Sequence, residues 1–317
     1  MNIVTLSNNI PFLRLLLHSI ERTNPEKDVF VYLDYRISDP KDFKGIETER
    51  VHFVDLNVVE YLKEWLVYYT GISLSVLENM YIDYQTHHIK LGVILHRMLT
   101  GEENFLFLDD DVLVNSDLDI LDVKDGFAAN RTTGVYGSMR RGSFWGEERC
   151  AWKRVFKQEF PEDVFSKFGM YNAGTMYIDT SFDAQFLESL SRFYYEKHFH
   201  KKFFEKVFNP LLKQYINRGR AHVSFFDEQR FLTYFFYSTG KHKSYSLKEA
   251  FLINWGIQRF KKLFPTVDRV KKNFSTRSVI HYCLSKKQMF FEILKAYEYG
   301  ELTEERFNSI LESYPEG

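Results

Sequence analysis

Four apolar residues, Phe105 to Leu108, run straight into Asp109, Asp110 and Asp111 within the stretch NFLFLDDDVLVN. So short and apolar a run reads as a buried strand. Its far end must then leave the core as three adjacent carboxylates, which repel one another unless a cation neutralises them. In an open α/β sheet, the crevice beyond the carboxyl ends of the strands is where ligands collect. Hard oxygen ligands there suit Mg²⁺ or Mn²⁺ carrying a diphosphate. Asp109 and Asp111, two apart on an extended chain, point the same way. The plain alternative, for an isolated Asp-x-Asp, is a solvated acidic turn.

The rest of the N-terminal half supports an α/β wind. Ile3 to Leu6 is a short apolar run, and Ile10 to Arg22 repeats apolar residues at helical spacing (Leu13, Leu16, Leu17, Ile20) behind Asn9 and Pro11. Asn24-Pro25 stops that helix, and Val29 to Leu33 and Val51 to Val54 read as further strands. A helix placing Leu91, Ile94, Leu95 and Met98 on one face ends at Gly101, a residue suited to a left-handed C-terminal turn. Strands alternating with helices predict βαβ units. Gly174 to Ile178 is expected as a strand preceded by Asn172, followed by a helix carrying Leu187, Leu190 and Tyr194. Val223 to Phe225 is expected as a strand, with Asp227 capping the next helix. Between Val135 and Met170 periodicity is lost, so 137–170 reads as an irregular lid or acceptor segment.

With 317 residues the chain is long enough for one large domain or two small ones. Gly (16) and Pro (7) are too few for a linker-rich or collagen-like chain. Cys150 and Cys283 are the only cysteines, which excludes a disulfide framework and a thiolate metal cluster. The N-terminal MNIVTLSNNIPFLRL lacks the pattern of a signal peptide and no run is long enough for a membrane span, so a cytoplasmic location is expected, in a bacterial cell or a phage-infected host. The net charge of −1 hides a polarity: residues 241–287 carry twelve Lys and Arg against Glu249 and Asp268. The same segment contains Tyr245, Phe251, Trp255, Phe260, Phe264 and Phe274.

Five segments in order resemble glycosyltransferase family 8, the GT-A-fold group that includes glycogenin and bacterial lipooligosaccharide galactosyltransferases. They are the first strand and turn, Leu108-Asp109-Asp110-Asp111, Tyr171-Asn172-Ala173-Gly174, Phe226-Asp227-Glu228-Gln229 and Val279-Ile280-His281-Tyr282-Cys283. The resemblance implies a GT-A, Rossmann-like nucleotide-sugar transferase fold with a mixed central sheet flanked by helices. It implies a catalytic domain over 1–287, with 288–317 as a C-terminal helical tail.

The resemblance also assigns roles. Asp109, Asp111 and His281 match the metal ligands, with Mn²⁺ or Mg²⁺ expected. Asp109 and Asp110 match positions that contact the donor, expected to be a UDP-sugar. Leu6, Ser7 and Asn8 fall where the family holds the nucleotide base, with Asn8 replacing a usual acidic residue. His88 sits where the family often has an arginine near the diphosphate, and Lys287 coincides with its diphosphate-binding lysine. Asn172 and Gly174 match sugar and donor contacts, and Asp227 matches the acid that binds the transferred sugar. Glu228 stands where the family commonly has Gln beside the anomeric carbon; a Glu there admits a covalent glycosyl-enzyme in place of front-face transfer. The family pattern His-x-x-Gly-x-x-Lys-Pro-Trp is broken at Leu284, Gln288 and Met289, so the diphosphate loop must be built differently.

The expected activity is a metal-dependent, retaining transfer from a nucleotide-diphosphate sugar to an acceptor hydroxyl, retention following from the resemblance. The basic, aromatic 241–287 segment favours a polyanionic acceptor, a hydroxymethylated DNA base of viral type. A bacterial lipooligosaccharide acceptor with peripheral membrane contact is the alternative, and a solvated helix face over core aromatics is the plain reading. A haloacid-dehalogenase-like phosphatase is a distant rival, since Leu113 stands where that motif has Thr or Val. A sugar nucleotidyltransferase would need a Gly-rich loop that Ser7-Asn8-Asn9-Ile10 does not supply. A non-enzymatic binding module keeping the metal only to hold a nucleotide or glycan would lack donor hydrolysis.

Overall fold

Seven strands in the order β3-β2-β1-β4-β7-β6-β8 make the main sheet of the computed structural model, and three, β5-β10-β9, make a smaller one. The structure describes residues 1–34, 40–43, 45–46, 48–79, 86–101, 103–131, 152–159, 171–199, 225–253, 257–282 and 287–314. The strands are β1 (Asn2–Ser7), β2 (Val29–Leu33), β3 (Val51–Val54), β4 (Phe105–Asp109), β5 (Val112–Val114), β6 (Phe127–Arg131), β7 (Tyr171–Ile178), β8 (His242–Tyr245), β9 (Ala250–Ile253) and β10 (Val279–Tyr282). The helices are α1 (Ile10–Thr23), α2 (Val58–Thr70), α3 (Leu74–Asn79), α4 (Thr86–Thr100), α5 (Asp183–Phe199), α6 (Phe225–Thr239), α7 (Ile257–Leu263), α8 (Val267–Phe274), α9 (Lys287–Glu298) and α10 (Glu304–Ser313).

The first four sheet strands pair in parallel, and β7 then runs antiparallel to both β4 and β6. The mixed sheet flanked by helices expected from the sequence is therefore present. From β1 the chain winds outward to β3, then returns past β1 to β4, so the strand order reverses between β1 and β4. That reversal opens a crevice at the carboxyl ends of the two strands. Asn9 starts α1 there by accepting from the Phe12 amide at 3.1 Å, and Pro11 occupies an early helical position that needs no amide partner.

Three apolar clusters hold these layers. One lies under α2, α4, α5 and α6, one between α1 and the sheet, and one joins α1 to α7, α8, α9 and α10. In the last, Phe12 meets Phe291 at 4.7 Å between ring centroids, and Phe260 meets Phe290 at 5.0 Å.

Several expectations need correction. Phe225 is helical rather than the end of a strand, and Asp227 lies inside the first turn of α6 rather than capping it. Asn172 and Gly174 lie within β7, which starts at Tyr171, because pairing with β6 extends the ladder past the apolar run. Gly101 ends α4 by close approach rather than a left-handed turn: a Cβ there would lie 2.5 Å from the Arg97 carbonyl oxygen. Within 137–170, residues 152–156 are helical, Trp152 is buried against Phe156 and Tyr234, and 157–159 are exposed; 137–151 and 160–170 lie outside the described residues.

The largest correction concerns 241–287. Tyr245, Phe251, Phe260, Phe264 and Phe274 are core residues, all at most 5% exposed, so they offer no stacking surface; Trp255 lies outside the described residues. The helical period explains why: in α7 and α8 apolar side chains recur on the inner face, while Lys261, Lys262, Arg269, Lys271 and Lys272 fall on the outer one. What looks interleaved along the chain is separated by the helix into two faces. Among the described residues, no helix is long and apolar enough to cross a membrane.

Candidate functional site

The crevice between β1 and β4 is built by register. Leu6 pairs with Asp109, so the next residues, Ser7 and Asp110, emerge side by side, and the Ser7 hydroxyl donates to Asp110 Oδ2 at 2.8 Å. Asp110 and Asp111 form the tight turn into β5, which leaves the main sheet for the smaller one. There β10 runs antiparallel to β5 with His281 opposite Val112, and the Tyr282 amide donates to Asp111 O at 3.0 Å. On the other side, antiparallel β7 brings its first residues to the end of β4, Thr175 opposite Leu108.

Asp109, Asp111 and His281 converge, with one ligand atom from each lying within 4.8 Å of the others. His281 Nε2 stands 3.2 Å from Asp111 Oδ1 and 3.7 Å from Asp109 Oδ2. Among the described residues, Asp111 Oδ1 and both nitrogens of His281 are buried with no hydrogen-bond partner. Buried polar atoms left so are costly, and a cation shared among them removes the cost. Two carboxylates and an imidazole are a donor set that suits a divalent cation. Gly174 completes the fit: a Cβ there would lie 2.0 Å from His281 Cε1, so only the missing side chain lets the imidazole lie against β7.

Two lysines close the site. Lys287, at the start of α9, reaches Asp111 Oδ2 at 2.9 Å and Asp110 Oδ1 at 3.7 Å, its ammonium 4.8 Å from the Phe12 ring centroid. Lys90, buried on α4, reaches Asp109 Oδ1 at 2.7 Å, donates to the Ala173 carbonyl at 3.0 Å, and lies 3.7 Å from Glu228 Oε1. Burial alone would lower the Lys90 pKa, but Asp109 and Glu228 outweigh it and hold the ammonium above its ordinary value. Burial pushes Glu228 up to about 7 against the pull of Lys90. Burial likewise carries Asp110 to about 7, opposed by Lys287 and the Ser7 hydrogen bond. Asp111 goes the other way: His281 and Lys287 overcome its burial and hold it well below the usual carboxylate range.

The site thus gathers Ser7, Asp109, Asp110, Asp111, Asn172, Gly174, Glu228, His281 and Lys287. Asn172 is buried and its side-chain oxygen accepts from the Gly174 amide at 2.9 Å. Leu6 turns its side chain into the core, while Asn8 is exposed at the mouth of the crevice. His88 and Asp227 lie on α4 and α6, and their side chains are outside the described residues. Lys90 is the residue that motif reading misses. Its one signal is a charge set between Ile89 and Leu91 in a helix buried on nearly every side. A separate surface cleft of about 380 Å³, lined by Arg14, His18, Lys27 and Arg50 among others, holds none of these residues.

Among solved structures, the chain is similar to the galactosyltransferase LgtC in complex with donor and acceptor sugar analogs, at 17% identity over 100% of this chain and 97% of that one, with a TM-score of 0.40. It is similar to the glycosyltransferase GlyE of Streptococcus pneumoniae TIGR4, at 14% identity and TM-score 0.48, covering 99% of this chain and 63% of that one. It is also similar to mouse xyloside xylosyltransferase 1, at 13% identity and TM-score 0.49, covering 88% of this chain and 96% of that one. No family model and no curated protein matches the sequence.

Proposed function

We propose that this chain is a metal-dependent, retaining glycosyltransferase that takes a nucleotide-diphosphate sugar, a UDP-sugar foremost, as donor. The observation that carries the reading is the convergence of Asp109, Asp111 and His281 at the strand-order reversal of the main sheet. A bound Mn²⁺ or Mg²⁺ supplies Lewis-acid charge to the leaving diphosphate. Lys287, at the rim beside Phe12, adds positive charge for the same phosphates. Ser7 and Asp110 form one wall of the crevice, where the nucleotide enters beside exposed Asn8. Asn172 and Glu228 border the opposite side, facing the transferred sugar. Among these groups, Glu228 is the carboxylate to which we give the nucleophile's role, and Lys90 at 3.7 Å favours its charged form.

The acceptor reading shifts with the fold. Exposed Lys261, Lys262, Lys271 and Lys272 support a polyanionic acceptor or carrier. The buried aromatics remove the stacking argument that singled out DNA. An anionic glycan carrier at a membrane surface then stands level with a DNA acceptor, and competition by duplex DNA against anionic liposomes separates them.

The test of the main reading is a screen of nucleotide sugars for Mn²⁺-dependent hydrolysis, with Asp111→Asn as control. Hydrolysis of one donor, lost in the variant, is expected. A wild-type protein that hydrolyses none of them and binds none in the presence of Mn²⁺ would overturn it.

A further inference from the structure

Each metal-site carboxylate is divided between two neighbours. Asp109 gives Oδ1 to Lys90 at 2.7 Å and turns Oδ2 to His281 at 3.7 Å. Asp111 gives Oδ2 to Lys287 at 2.9 Å and turns Oδ1 to His281 at 3.2 Å. One oxygen of each is thus held by an ammonium while the other faces the shared space beside the imidazole. We propose that Lys90 and Lys287 are the site's resident counter-ions, which hold Asp109 and Asp111 at ligand spacing and surrender them when a divalent cation binds. The inference rests on reading Asp109, Asp111 and His281 as a metal site.

The two lysines have different places to go. Lys287 has a side chain 37% exposed and can swing towards solvent or an incoming phosphate. Lys90, 9% exposed, cannot reach water, but Glu228 Oε1 at 3.7 Å and the Ala173 carbonyl at 3.0 Å are already beside it. Giving up Asp109 therefore commits Lys90 to Glu228, so cation binding and the charge on Glu228 are linked through one buried ammonium. Lys90 is a positioning residue in this scheme, and the binding constant of the cation includes the repulsion and displacement of two like charges.

The experiment is calorimetric titration of the full chain with Mn²⁺ alone, for wild type, Lys90→Met and Lys287→Met, with thermal unfolding in the presence and absence of Mn²⁺. Lys90→Met is expected to bind Mn²⁺ about tenfold more tightly than wild type, because a competing charge at contact distance is gone. It is expected to unfold earlier without the ion and to recover with it. A lysine that merely props up the fold would weaken binding when removed. Equal or weaker binding by Lys90→Met, with wild type binding normally, overturns the inference and leaves the metal site standing. No binding by either protein overturns the metal site and the inference together. Should Lys90→Met not fold, Lys287→Met at its half-exposed position decides the question by the same comparison: tighter binding supports the exchange, equal or weaker binding refutes it.

Discussion

Gly174 and His281 share one volume: the imidazole lies where a side chain at position 174 would have to go. The glycine of β7 therefore admits the histidine that the proposed metal site needs, with its own backbone amide occupied by Asn172. Gly174→Ala should displace the ring from Asp109 and Asp111. We expect Mn²⁺ affinity, measured by calorimetry, to fall about tenfold or more, with a stability loss of roughly 1–3 kcal/mol from overpacking. Unchanged affinity would mean that the ring is not a ligand.

Neutralising the two carboxylates should have unequal effects on the metal-free protein. Asp109→Asn removes the nearest counter-charge of buried Lys90, leaving it only Glu228 and the Ala173 carbonyl, and should cost about 1–3 kcal/mol in thermal or urea unfolding. Asp111→Asn releases Lys287, which can return to water, and should cost well under half as much. From the sequence alone either change is expected to leave the apo fold intact; the 2.7 Å contact of Lys90 with Asp109 leads us to expect a loss at Asp109 instead. Equal losses would argue that Lys90 is not anchored by Asp109.

Glu228→Gln separates two chemistries for a retaining transfer. If the carboxylate attacks the anomeric carbon, the glycosyl–diphosphate bond breaks as the glycosyl ester forms. Turnover should then drop by orders of magnitude with donor binding retained. A near-normal rate in Glu228→Gln would assign front-face transfer and leave Glu228 as a charge partner for Lys90. Single-turnover kinetics with a saturating donor makes the measurement.

Acid should weaken the fold through two histidines away from the site. Burial lowers the pKa of His96, with Arg97 adding to it, and burial lowers that of His242. Both accept company from tyrosines, Tyr32 at 2.7 Å and Tyr171 at 2.9 Å. The unfolded chain then takes up protons first as pH falls below the free value of about 6.5, so stability declines until the folded value is passed. Asp110 and Glu228, raised to about 7, act in the opposite sense, so the comparison must be between proteins. A His96→Gln/His242→Gln double variant should show a flatter loss of urea stability between about pH 7 and pH 5 than wild type. Parallel curves would sink the assignment.

The strands and helices up to Asp109 are legible because parallel strands and amphipathic helices each impose a simple apolar period. The convergence of Asp109, Asp111 and His281 is legible only as motifs, since 170 residues separate Asp111 from its imidazole and it takes the β5–β10 pairing to bring them together. Lys90 is hidden for a different reason: neither period nor motif marks a charge whose partners come from β4, β7 and α6. The aromatics of α7 and α8 mislead for a third, because a linear reading of Lys and Phe in alternation does not separate the faces of a helix.

The three-residue run Asp109–Asp111 is also the splice between the two sheets: β4 ends in one and β5 begins in the other within a single turn. Asp109, Asp111 and the turn that joins the sheets are one piece of chain. The spacing of Asp109 and Asp111 is consequently a gauge of how the halves are seated. Cavity-forming changes as remote as Phe260 or Phe290, in the cluster that supports the small sheet, should register as altered cation affinity before any catalytic group is touched.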